Sequence, residues 1–163
     1  MSARLSEIAG IVYGAESANV CSAGVDCDAF NMGKFRRSST LLLFGSIVAD
    51  SELKVYAGAT AAKTTAIPFK YRLAGADCGS AGADQYGDRT ELASADAATG
   101  LTLTAATYDH KILIVEVDAQ DLPDGKPWVT VEIDADATTM NVAAVTILTD
   151  PRYSGDDVPT AIS

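Results

Sequence analysis

The sequence predicts a mainly β protein: an antiparallel β-sandwich or jelly-roll-like single domain. Three observations carry that prediction. Apolar and polar residues alternate through runs at 111–118, 128–134 and 141–149. Successive strand side chains point to opposite faces, so each run buries one face and wets the other. Turn-forming residues separate these and several shorter runs, and no long helical period interrupts them. At 163 residues the chain is long enough for one core and short for two. Its 48% apolar and 21% charged residues exclude a disordered class.

Taken in order, residues 2–13 place Leu5, Ile8 and Val12 near one face of a short helix, a period weakened by Gly10 and the β-branched residues. Residues 14–33 are small and polar with no period. Residues 1–33 therefore read as an irregular N-terminal arm: an extended segment ordered against a neighbour, a surface loop, or a disordered terminus. The β domain is expected over 34–155, with a tail at 156–163. Residues 39–48 form a continuous apolar run rich in Leu and Ile, the pattern of a strand covered on both faces.

Ala49-Asp50-Ser51 then turns the chain, and 52–57 alternate with Leu53 and Val55 on one side. A loop at 58–63 precedes a clean alternation in which Ile67, Phe69, Tyr71 and Leu73 face one way and Lys70 and Arg72 the other. Pro68 has no backbone donor, which favours an edge or the start of a strand. Residues 74–100, biased to Ala, Gly, Asp and Ser, read as a long loop with a short strand near 89–92. Residues 101–104 resume the period of two. Asp109 and His110 lead into the strongest strand. Pro123, Gly125 and Pro127 mark the turn before Trp128, and 134–137 turn the chain toward the last strand.

The chemistry offered by these elements is sparse. No run approaches the ~18 apolar residues of a membrane helix, and residues 1–7 lack a secretory signal's apolar stretch, so a soluble protein made in the cytoplasm is expected. Cys21, Cys27 and Cys78 are odd in number and show no CxxC spacing. A Cys21–Cys27 disulfide is sterically possible, but reduced thiols are expected, with no metal and no cofactor. Residues 1–75 hold eight Lys/Arg against six acids, and 76–163 hold four against sixteen, giving +2 and −12. That balance argues against nucleic acid. It serves solubility or steers a partner into register.

Asp109 beside His110, the single histidine, is no triad, because neighbouring strand residues point apart. Glu116, Asp118, Glu132 and Asp134 could share one sheet face as a glycosidase pair would, but they also fit the wet side of half-buried strands. Asp118, Asp121 and Asp124, with Asp134 and Asp136 nearby, offer oxygen-rich turns for Ca²⁺ without EF-hand spacing. Lys34, Arg36 and Arg37 form the one basic cluster, suited to an acidic partner surface or to a solvated loop. Phe35, Tyr108, Trp128 and Tyr153 stand at strand ends, where aromatics anchor interfaces or pack at the core's edge.

Several segments carry a resemblance: Phe35-Arg36-Arg37-Ser38-Ser39-Thr40, Ile67-Pro68-Phe69-Lys70-Tyr71-Arg72, Leu101-Thr102-Leu103-Thr104, Val115-Glu116-Val117-Asp118-Ala119-Gln120-Asp121-Leu122 and Ile147-Leu148-Thr149-Asp150-Pro151-Arg152-Tyr153. In their order and spacing, over about residues 30–155, the chain resembles small virion structural proteins of tailed bacteriophages, of the capsid decoration or cement type. The resemblance implies a non-enzymatic protein on the capsid surface that binds the major capsid protein and clamps neighbouring subunits, as a homotrimer. It brings no catalytic residue. The interface candidates are Lys34, Phe35, Arg36, Arg37, Trp128, Pro151, Arg152 and Tyr153. The alternatives are a neck or tail adaptor of the virion and a calcium-dependent carbohydrate-binding module.

Overall fold

The alternating runs form strands that assemble into two antiparallel sheets with one shared core, a β-sandwich. The computed structural model describes residues 9–19, 24–134 and 140–152. The larger sheet contains β1 (Gly10–Asn19), β4 (Phe35–Ile47), β7 (Lys70–Leu73), β8 (Thr90–Glu91), β10 (Ile112–Asp118) and β12 (Met140–Pro151), in the order β1-β12-β4-β10-β7-β8. The smaller contains β2 (Val25–Asp26), β3 (Phe30–Asn31), β5 (Ser51–Gly58), β6 (Thr65–Ala66), β9 (Leu101–Leu103) and β11 (Trp128–Ile133). There β11 and β5 lie side by side. β2 and β3 share the free side of β11, and β6 and β9 share that of β5. Both outer columns of this sheet are thus broken into short pieces, which leaves little continuous edge for a foreign strand.

Alternation places the core. Leu42, Phe44, Leu113, Val115, Val142 and Leu148 point inward from the larger sheet, and Leu53, Val55, Leu103, Val129, Val131 and Ile133 meet them from the smaller. One polar pair sits within this interior. Thr40 and Thr146 are cross-strand partners, and their hydroxyls share a 2.8 Å hydrogen bond. A buried hydroxyl without a partner would be costly, and each of these satisfies the other.

Several expectations need correction. Within the irregular arm expected over 1–33, the described residues include the ten-residue strand β1 and the short strands β2 and β3, with Val12, Cys27, Phe30 and Met32 in the core. The period of β1 was hidden because the strand shifts register between Tyr13 and Ala15 and again between Ala15 and Ala18. Gly14 is needed there, since a Cβ would come within 2.6 Å of the Ala144 backbone. The helical reading of 2–13 fails at residues 9–13, and residues 2–8 lie outside the described residues.

The alternation at 67–73 is not one strand. β6 pairs with β5, β7 pairs with β10, and the chain crosses between sheets through Ile67, Pro68 and Phe69. Pro68 brings no N–H to the crossing, while Ile67 and Phe69 still point into the core. The three alternating runs of 111–149 fall in two sheets, β10 and β12 flanking β4 while β11 enters the other.

The long loop at 74–100 does carry its short strand, β8. Residues Ala105–Tyr108 add a single helical turn, α1, that the sequence reading did not contain.

Candidate functional site

Two of the segments singled out in the sequence, 34–37 and 150–152, meet at one end of the larger sheet. A tight turn at Met32, Gly33 and Lys34 carries the chain from β3 to β4. It is fixed by the Met32 N–H donating to the Pro127 carbonyl (2.8 Å) and by the Gly33 N–H donating to Asn31 Oδ1 (2.7 Å). Phe35 then drops into the core, where its ring packs against Gly10. Antiparallel pairing of β4 with β12 brings Pro151 opposite Phe35, and the Arg152 N–H donates to the Lys34 carbonyl at 2.8 Å. Asp150 takes a left-handed backbone (φ 54°), unusual for a residue other than glycine. A shallow cleft of about 510 Å³ results, lined by Arg36, Arg37, Asp118, Gln120, Asp150 and Arg152.

Charges continue from this cleft across the outward face. Arg37 is the cross-strand partner of Asp118, and its Nε lies 3.6 Å from both the Asp118 and Asp150 carboxylates. Lys70 reaches Asp121 at 3.1 Å and Asp118 at 3.6 Å; Arg89 reaches Glu116 at 2.6 Å and Asp118 at 3.4 Å. The Asp121 hydrogen bond raises the Lys70 pKa above its ordinary value. Arg36 and Arg152 are exposed and line the cleft beside this network. Such guanidiniums present planar forks suited to carboxylates.

The remaining candidates are placed differently. Phe35, 3% exposed, fixes the start of β4 from within rather than offering a contact surface. Trp128 is half-buried on the smaller sheet, opposite Asn31 and Gly58, and does not line the cleft. Tyr153 lies outside the described residues. Tyr108 is buried edge-on against Phe44, and burial pushes its hydroxyl up to about 12.

The sequence reading missed a surface. β4 presents Leu41 and Leu43 outward, register places Ile114 and Ile112 beside them from β10, and Val145 and Ala143 adjoin from β12. Ile11 and Tyr13 of β1 extend this face at 50% and 52% exposure. The signal was present in the continuous apolar run at 39–48, which the sequence analysis read as a strand covered on both faces.

The groups weighed for chemistry have structural partners. Asp109 accepts a 2.8 Å hydrogen bond from the Ile47 N–H, while exposed His110 occupies a left-handed turn (φ 54°) with its Nε2 3.8 Å from Asp109. The four carboxylates do not share a face. Glu116 and Asp118 belong to the larger sheet, whereas Glu132 and Asp134 belong to the smaller and pair with Lys63 (3.1 Å) and Lys54 (2.9 Å). Among the described residues no three His, Cys, Asp or Glu side chains gather around a cation site, and Asp136 lies outside them. Cys27 is buried and Cys78 exposed; both are free thiols, and Cys21 lies outside the described residues. Burial, with Asp26 and Asp28 nearby, pushes the Cys27 thiol up to about 12, far from the thiolate a nucleophile needs.

No protein-family model matches the chain, and no curated protein matches it. Among solved structures, the crystal structure of the SPBc2 prophage-derived protein YomS is similar over 87% of this chain and 93% of that one, at 15% identity and a TM-score of 0.46. Superposition at that level transfers neither fold nor function.

Proposed function

We propose that the chain is a virion structural protein that decorates the outside of a bacteriophage head and holds neighbouring capsid subunits together. The observation that carries the reading is the joining of residues 34–37 with 150–152. Two segments more than a hundred residues apart are pinned by β4–β12 pairing into one cleft, with exposed Arg36 and Arg152 on its rim and Arg37 held by Asp118 and Asp150. On a chain of net charge −10, a localised arginine cluster suits carboxylates of an acidic partner segment. Cement would act thermodynamically: binding only the assembled shell shifts its equilibrium away from dissociation, and many copies multiply a small contribution. The resemblance gives the oligomer as a trimer.

The experiment mixes the purified chain with heads that lack a decorating protein and images them by electron microscopy. Copies at regular positions over the whole outer shell are expected, with binding reduced when Arg36 and Arg152 are both replaced by Glu. A single ring at the neck, or undiminished binding by the double variant, overturns the reading.

A further inference from the structure

The cleft at the end of the larger sheet does not stop at the Arg37–Asp118 pair. Beyond it, on the outward face, lies a second cleft of about 200 Å³ that shares Arg37 and Asp118 and adds Ser39, Arg72, Arg89 and Glu116. Cross-strand register explains its place. Arg72 of β7 stands opposite Ile114 of β10, and Ile114 stands opposite Leu41 of β4, four residues along that strand from Arg37. Four residues at about 3.4 Å and two strand spacings of about 4.8 Å put the Arg72 Cα roughly 17 Å from that of Arg37.

The charges along this path are of two kinds. In the middle, Arg37 is held by Asp118 and Asp150, and Arg89 by Glu116 at 2.6 Å and by Asp118. A ligand carboxylate placed over these cations meets the chain's own carboxylates. The two ends differ. Among the described residues no carboxylate pairs with Arg36 or Arg152 at one end, or with Arg72 at the other. Arg72 is half-buried, so part of its hydration is withdrawn with no anion in exchange, and a ligand carboxylate would supply one. We infer that the acidic partner segment lies extended across both clefts, its carboxylates at its two ends, on Arg36 and Arg152 and on Arg72, and its middle uncharged. The inference rests on reading the first cleft as the seat of an acidic segment, and adds that segment's length and charge pattern. An extended chain advances about 3.3 Å per residue, so about eight residues join the two ends. One exposed ion pair is worth little, but contacts linked on one short chain reinforce each other through effective concentration.

The test uses two fluorescent octapeptides with blocked termini and one composition. Glu-Glu-Ser-Ser-Ser-Ser-Glu-Glu carries its charge at the ends and Ser-Ser-Glu-Glu-Glu-Glu-Ser-Ser in the middle, so net charge is equal and only the pattern differs. Anisotropy is read with the full chain at low ionic strength, where exposed charges are least screened. The first peptide is expected to bind about fivefold tighter or more. Arg72→Ser and Arg72→Gln, each shown to be folded by far-ultraviolet circular dichroism, should bring it down to the second. Lys63→Met removes one positive charge from the other sheet and should leave the preference intact. Equal binding of the two peptides overturns the inference, as does binding of neither. A preference that survives both Arg72 variants, or that Lys63→Met abolishes, overturns it too. The capsid reading is judged separately on heads. Decoration that Arg72→Ser leaves undiminished sinks the two-cleft path alone, whereas the peptide preference without decoration sinks the capsid reading alone.

Discussion

The outward faces of the two sheets are built on opposite plans. On the smaller sheet, the cross-strand pair Lys54 and Glu132 faces solvent, Lys63 bridges Asp26 and Glu132, and its ammonium stands 5.8 Å from the Tyr56 ring centre. That is the ordinary half-buried pattern, apolar inside and charged outside. On the larger sheet, the central strand β4 is apolar on both sides: Leu42 and Phe44 enter the core while Leu41 and Leu43 point away from it. Charge there gathers at one end, around Arg37, Asp118 and Lys70, with Arg72 beside Ile114 further along the sheet. One sheet is finished for water. The other keeps an apolar outward side.

The largest effect separates the two sides of the larger sheet. Leu113 is fully buried, and Leu113→Ala should cost about 2–5 kcal/mol by lost burial and a residual cavity. Leu43→Ala, on the other side of the same sheet, should stay within about 0.5 kcal/mol in urea unfolding at dilution where copies are apart. Equal losses at the two positions would mean that both faces are buried within one protomer, and the contrast would disappear.

Between the two sheets, buried ionisable groups make stability fall in alkali. Unfolded Cys27 loses its proton from its ordinary 9.0, but folded Cys27 keeps it to about 12. Across that window the folded state binds more protons than the unfolded one, so stability declines as pH rises, by roughly 4 kcal/mol at most. Tyr108 adds a decline from its ordinary 10.0 to about 12. The raised pKa values of Lys54, Lys63 and Lys70 act in the same direction above 10.5, as their ion pairs are lost. The thermal midpoint should therefore hold to about pH 9 and then drop, and Cys27→Val should move the onset to about pH 10. An onset that ignores this substitution would show that Cys27 is open to solvent.

The buried hydroxyl pair gives a smaller and more specific effect. Thr40→Val leaves the Thr146 hydroxyl without its 2.8 Å partner in a dry site, at a cost of about 1–3 kcal/mol. Replacing both by Val removes both polar groups and should restore most of the loss. A double variant as unstable as the sum of the two single variants would mean that shape, not the hydrogen bond, is what the pair supplies.

What the sequence made legible follows from the strength of its periods. β11 was readable because it alternates with one face wet and the other dry, and β10 and β12 because β-branched runs bounded by turn residues mark strands even where the outward side is apolar as well. β1 was not, since its two register shifts and its Gly, Ala and Ser content erase the alternation that pairing with β12 nonetheless satisfies. The crossing at Pro68 was invisible for the opposite reason: inward-facing residues keep their period even as the chain passes from one sheet to the other. Of the candidate site, each basic segment was legible alone, but their meeting depends on a β4–β12 pairing across more than a hundred residues, which local pattern does not encode. The apolar outward face was half legible. The run at 39–48 announced a strand with two apolar sides without saying which partner covers the second.

The smallest effect tests the solvent-finished side. Lys54 holds Asp134 at 2.9 Å, and Lys63 holds Asp26 at 2.7 Å, around side chains that keep partial contact with water. Pairs of this kind contribute about 0.2–1 kcal/mol each, because solvent screens the attraction and ordering two long side chains offsets part of it. Lys63→Met should sit at the upper end, since it removes a bridge to two carboxylates and the contact with Tyr56 together. Its cost should shrink in concentrated salt, where screening weakens the pair in the wild type as well. Leu43→Ser on the larger sheet should show no such salt dependence in unfolding at dilution, because nothing ionic is lost there. If the two variants responded to salt alike, the outward faces would share one kind of chemistry, and the contrast between a charged face and an apolar one would be gone.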